Sequence, residues 1–219
     1  MAPSAHSETP GPGDAKPEIV WKAIPFDARR RQETAAYSDR HYGEATYALT
    51  DPQVIVEHYT DGSSFHSAWS HFAANRPHLG EKPGVCSHFL IDKDGTIYQL
   101  VDLGLRCRHA IGMNWTAIGV EHVGTSAEEV LGNDRVLRAS LQLTGWLMTK
   151  FDIRIGNVIG HAEILRSPFH RELVESWRSS THADFDGPEM DRYRSRLERV
   201  TRRPAASFGA RSQATDDDG

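Results

Sequence analysis

Apolar residues in this chain fall into short runs separated by longer stretches of mixed polarity, and the spacing changes from one to the next. Val54 to His58 is a compact apolar run of strand length that ends on a histidine. Ser64 to Ala74 changes to helical spacing: Ser64 is a suitable cap, and Phe65, Ala68, Trp69 and Phe72 form one stripe. His88 to Asp92 and Thr96 to Val101 are strand-like on either side of Lys93-Asp94-Gly95, a hairpin signal. Ile118 to Val123 predicts a further strand. Asp134 to Phe151 is the longest helical stretch, with Leu137, Leu141, Met148 and Phe151 on one side. Asn157 to Gly160 predicts a strand, and Pro188 to Thr201 a closing helix with Met190, Tyr193, Leu197 and Val200 turned inward. Strands alternating with helices imply a single α/β domain with a central mixed β-sheet flanked by helices.

Composition sets the limits of that domain. The 219 residues suit one domain with tails. Residues 1–18 are rich in Pro, Gly, Ala and Ser and are expected to be a disordered leader; residues 204–219 lack periodicity and are expected to be a disordered tail. This leaves 19–203 for the domain. Hydrophobic residues are 38% and charged residues 25%, a globular profile. The formal net charge is −5 and no Lys/Arg block stands in the middle, so no nucleic-acid partner is expected. No apolar run approaches the roughly 18 residues of a membrane span, and Met1 to Lys16 lacks the apolar stretch of a signal peptide. A monomer is expected. Cys86 and Cys107 flank the predicted hairpin, and both a disulfide and two buried thiols stay open.

The candidate chemistry lies at the strand ends. His58 ends one predicted strand and His161 follows another, and strand ends at one edge of an α/β sheet converge on a crevice. Asp184 adds an oxygen donor, so His58, His161 and Asp184 have the composition of an open zinc site with room for water. Spacing alone is equally compatible with two half-buried histidines and a loop-capping aspartate. Glu121, an acid inside an apolar run, is the candidate base, with a strand acid paired to an arginine as the plainer alternative. His122 should face away from Glu121, and His88 should pack or hydrogen-bond. His6 lies in the leader, His66 and His71 on the predicted helix with His71 at its surface, and His41, His78 and His170 in loop-like, solvated contexts.

The stretches Val56-Glu57-His58-Tyr59-Thr60, Ser87 through Val101, Arg108-His109-Ala110, Asn114 through Glu121, and Ile159-Gly160-His161 occur in the order seen in one family. Over roughly residues 50–195 the chain resembles the zinc-dependent N-acetylmuramoyl-L-alanine amidases of type 2, a family that includes phage amidases and peptidoglycan recognition proteins. The resemblance implies Zn2+ held by His58, His161 and Asp184. It also implies Glu121 as the acid that activates water, His182 as the group that steadies the oxyanion, and His109 and Asn114 as cleft-lining substrate contacts. The implied reaction cuts the amide between N-acetylmuramic acid and L-Ala, in peptidoglycan or in a soluble muropeptide. A module that binds muropeptides without cutting them is the alternative. Wall chemistry implies action outside the cytoplasm, after secretion or phage-type release.

The chain departs from the family in two places. Ser87 stands where some phage members carry a catalytic tyrosine, so no tyrosine-assisted route is expected. The stretch from His161 to Asp184 is longer than in compact relatives, which leaves His170 and His182 as alternative third ligands. It is expected to form a wall of the cleft, with Trp177 available to stack on sugar or peptide.

Overall fold

Strand pairing brings the sequence-distant histidines to one edge. The computed structural model describes residues 15–201, so His6, most of the expected leader and the whole expected tail lie outside the described residues. The strands are β1 (Val20–Trp21), β2 (Val54–Tyr59), β3 (Phe89–Ile91), β4 (Ile97–Gln99), β5 (Ala117–His122) and β6 (Val158–Gly160). They form one mixed sheet in the order β1-β4-β3-β5-β2-β6. Only the β3–β4 hairpin is antiparallel; β3, β5, β2 and β6 run parallel, as do β1 and β4. The carboxyl ends of β2, β5 and β6 therefore meet at one edge, in a register that sets His58 beside Glu121 and Glu57 beside Gly160.

Side chains along each strand alternate between two different environments. Ile55, Ile118, Val120 and Val158 join the main core with Leu143 and Leu147 of α4 (Asp134–Phe151) and Met190, Tyr193 and Leu197 of α5 (Gly187–Thr201). On the other face Val54, Val56, Ala117 and Ile159 pack with Ala110, Met113 and Ile164. Beside them Leu90, Leu100, Val123 and Cys86 pack against Phe72 of α2 (Phe65–Ala73). His58 and Glu121 extend the rows of this second face. Cys86 and Cys107 are disulfide-bonded with Cα atoms 5.5 Å apart, which settles the alternative that the sequence left open.

Several expected elements agree closely with the structure. The Ser64 side chain caps α2 by accepting from the Ser67 amide at 3.2 Å. The long helix spans Asp134–Phe151 and opens on the Asn133 side chain. One strand and two α-helices among the described residues were not anticipated: β1, α1 (Ala28–Tyr42) and α3 (Ala127–Gly132). The α1 helix is capped by Asp27 and closed by Gly43 at φ 70°. Its buried stripe is Arg30, Thr34, Tyr37, Ser38, His41 and Tyr42, which has helical spacing and polar composition. That burial corrects the expectation for His41, whose ring is fully buried between Glu172 at 2.8 Å and Glu81 at 2.9 Å. His170 is likewise half-buried rather than solvated.

Candidate active site

Parallel pairing supplies two of the clustered groups, and a close backbone approach supplies the third. His58 lies on β2 and His161 directly follows the neighbouring β6, their rings 4.7 Å apart. Asp184 arrives from a distant loop that lies directly against β6. A Cβ on Gly160 would sit 1.7 Å from the Phe185 carbonyl oxygen, so only glycine admits that loop. The Ala162 amide donates to the Asp184 carbonyl at 3.1 Å and fixes the approach. The aspartate side chain then meets His58 Nδ1 at 3.0 Å and His161 Nδ1 at 3.2 Å. Donor atoms of His58, His161 and Asp184 all lie within 4.8 Å of one another, and this is the group with metal-binding composition among the described residues. It contains Asp184 rather than His170 or His182. Two imidazoles and a carboxylate fit the donor preferences of zinc.

His109 closes the floor. Its Nδ1 is 3.1 Å from His58 Nε2, and its ring lies flat enough on β5 that a Cβ on Gly119 would come within 2.7 Å of it. Asn114 acts from below: its Oδ1 accepts from the His109 and Ala110 amides, both at 2.8 Å, and its amide donates to the Tyr42 hydroxyl at 3.0 Å. At 2% exposure Asn114 does not line the cleft, which corrects its expected place there; it holds the His109 turn instead. Trp177 is likewise turned from the cleft and packs on the His41 ring and the Arg108 guanidinium. Ser87 is fully buried.

The electrostatics follow from burial in a shared groove. Burial pushes His58 down, with Asp184 only partly opposing it. Burial and the neighbouring histidines hold His109 well below the usual imidazole range. Burial works to raise Asp184, but hydrogen bonds from His161 and His58 outweigh it and hold the carboxyl well below the ordinary carboxylate range. Glu121 moves the other way: burial, then the Asp184 charge, push it up to about 8. One of its carboxyl oxygens, Oε2, is buried with no hydrogen-bond partner in the protein, and no arginine pairs with it among the described residues. His182 Nδ1 approaches Asp184 at 2.6 Å from a side chain that is 64% exposed.

These groups line a cleft of about 440 Å³, together with Tyr59, Thr60, Asp61 and Ser67. A second arm of about 270 Å³ shares His78, Val85, His109, His161 and His182 with it. Ser180 and Thr181, from the long insertion, line that arm. His71, on the exposed side of α2, and His78, in a loop, also line the cleft; neither stands at a strand end, where the sequence pointed to candidate chemistry.

A family model described as N-acetylmuramoyl-L-alanine amidase matches residues 48–175. The matched span includes His58, His109, Glu121 and His161 and stops before His182 and Asp184. No curated protein matches the chain. Among solved structures, a selenomethionine AmpD derivative is 16% identical, covering 83% of this chain and 97% of its own, with a TM-score of 0.53, a likeness of fold. The endolysin N-acetylmuramoyl-L-alanine amidase LysCS from Clostridium intestinale URNW is 23% identical over 64% of this chain and 79% of its own, with a TM-score of 0.45. PGRP-SA from Apis mellifera is 23% identical over 52% and 73%, with a TM-score of 0.42. The family model spans more than half of the chain, and the chain belongs to the type-2 N-acetylmuramoyl-L-alanine amidase family.

Proposed function

We propose that this protein is a zinc-dependent hydrolase of the amide between N-acetylmuramic acid and the L-alanine that begins the stem peptide. Family membership supports a peptidoglycan amidase or recognition role. The observation that favours cleavage is the meeting of His58, His161 and Asp184 beside Glu121, whose buried carboxyl oxygen has no protein partner. A merely binding surface has no need to bury an unpaired carboxyl at that point.

In this reading His58, His161 and Asp184 hold the ion. Zinc bound there would polarise the lactyl carbonyl and lower the pKa of water. Glu121 takes a proton from the attacking water and returns it to the departing alanine amine, a task suited to an acid raised towards neutrality. His182 donates to the oxygen that gains negative charge, and Asp184 Oδ1 orients its ring. His109 contacts His58 and fixes that ring from the floor of the cleft. His182 and His109 are also the proposed contacts with substrate near the scissile amide.

Chelation followed by metal return tests the reading. Stripped protein should release no peptide, and zinc should restore release; full turnover after complete metal removal would contradict it. Intact sacculi and soluble muropeptides, digested side by side, divide wall lysis from action on soluble fragments. Binding of either without cleavage would leave recognition as the function.

A further inference from the structure

One exposed leucine is held on the cleft wall at a backbone cost. The turn His78–Leu79–Gly80–Glu81 closes with main-chain hydrogen bonds of 2.9 and 3.0 Å, and its central residues have φ of 49° at Leu79 and 77° at Gly80. That turn geometry favours Asn, Asp or Gly at the first central position, and a leucine there is strained. Leu79 stays more than half exposed, at 58%.

The surrounding fold nevertheless holds this turn in place. Arg108 donates to the His78 and Glu81 carbonyls, both at 3.0 Å, while its guanidinium packs on the rings of Tyr37 and Trp177. The Glu81 carboxylate meets Arg40 at 3.0 Å and His41 at 2.9 Å, and His41 in turn meets Glu172 at 2.8 Å. A strained residue fixed from behind by buried polar groups, with its side chain left in the open, marks a contact surface.

The arm that Leu79 overlooks indicates what it contacts. Val85, Ala110 and Ile111 share its wall, Ser180 and Thr181 line it as well, and no carboxylate is among the described residues that line it. The cleft on the other side carries Thr60, Asp61 and Ser67, which suit hydroxyl-rich groups. Resting on the hydrolase reading above, we infer that Leu79 is a specificity-determining contact for the peptide portion of the substrate, gripping aliphatic side chains beside the scissile amide.

Leu79→Asn and Leu79→Gly both suit the turn and remove the apolar contact. Each should raise KM for a soluble muropeptide about five- to tenfold, the effect of partly burying a leucine against a ligand, with kcat within about twofold. Melting temperature should hold or rise, because the strain is relieved. The penalty should be equal on mono- and disaccharide substrates and should shrink as the peptide is shortened. Unchanged KM in both variants, a penalty that follows glycan length, or a fall in melting temperature matching the loss would overturn the assignment. Calorimetric binding of the same muropeptide to Glu121→Gln, with and without Leu79→Asn, separates the two readings. Weaker binding with Leu79→Asn, when the zinc-loaded wild type cleaves no muropeptide, would sink the hydrolase and keep the contact. Normal turnover with unaltered binding would do the reverse.

Discussion

The two faces of the central sheet each carry a glutamate pushed up to about 8, Glu57 fully buried and Glu121 half-buried, and the two have different surroundings. Glu57 lies on the helix-covered face, where Thr144 donates to its carboxylate at 2.8 Å and the Tyr193 hydroxyl at 3.2 Å. His122, on the same face, continues that network through Ser140 to Tyr193. Both acids leave Oε2 buried without a partner, but the hydroxyls that reach Glu57 Oε1 have no counterpart at Glu121 on the cleft face. Burial dominates both shifts. What distinguishes a structural acid from a candidate base is therefore the partners each finds, and strand alternation alone decides which face each one reaches.

The largest test of that contrast is paired substitution. Glu121→Gln should lower turnover by a factor on the order of hundreds while leaving thermal stability intact or improved. Glu57→Gln should leave turnover within about tenfold and act chiefly on stability. Steady-state kinetics beside thermal melting reads both, and similar activity losses in the two variants would dissolve the distinction. Next in size, Leu143→Ala on the helix-covered face should cost about 2–5 kcal/mol by urea denaturation, because the side chain is fully buried in the main core. Zinc affinity of the folded protein should not change.

Replacing Cys86 and Cys107 together by serine should cost about 3 kcal/mol in the loop-entropy account, given a separation of 21 residues on the cleft side of the sheet. The smallest effect concerns pH. Burial pushes His88 down to about 4, where its ring accepts from the Gly119 amide and meets the Leu105 carbonyl. The unfolded chain takes up a proton near pH 6.5 that the folded chain refuses, so this group's contribution to stability falls as pH drops from about 6.5 to 4. His88→Gln should flatten that part of the stability–pH curve; an unaltered slope would show that His88 does not titrate on unfolding.

Legibility in the sequence followed the same division. The apolar runs of β2, β5 and β6 and the hairpin loop carry strong periodic signals, and their ends located His58, Glu121 and His161. The α1 helix escaped because its inward stripe is polar; spacing alone, without hydrophobicity, would have found it between Asp27 and Gly43. Asp184 was named for its oxygen donor and by the resemblance, with no strand periodicity to place it. Its place depends on a loop returning to β6 over Gly160, a contact between positions too distant for any pattern to encode. Asn114 and Trp177 carried the right chemistry for a cleft, but the fold turned both inward, to His109 and to Arg108.

The most direct test of the central claim is zinc stoichiometry by elemental analysis after dialysis against a competing chelator, comparing wild type with Asp184→Ala and with His170→Ala. The account predicts one zinc per chain in wild type and in the His170 variant, and its loss in the Asp184 variant. Full retention of zinc without Asp184, or no zinc bound by the wild type, would contradict it.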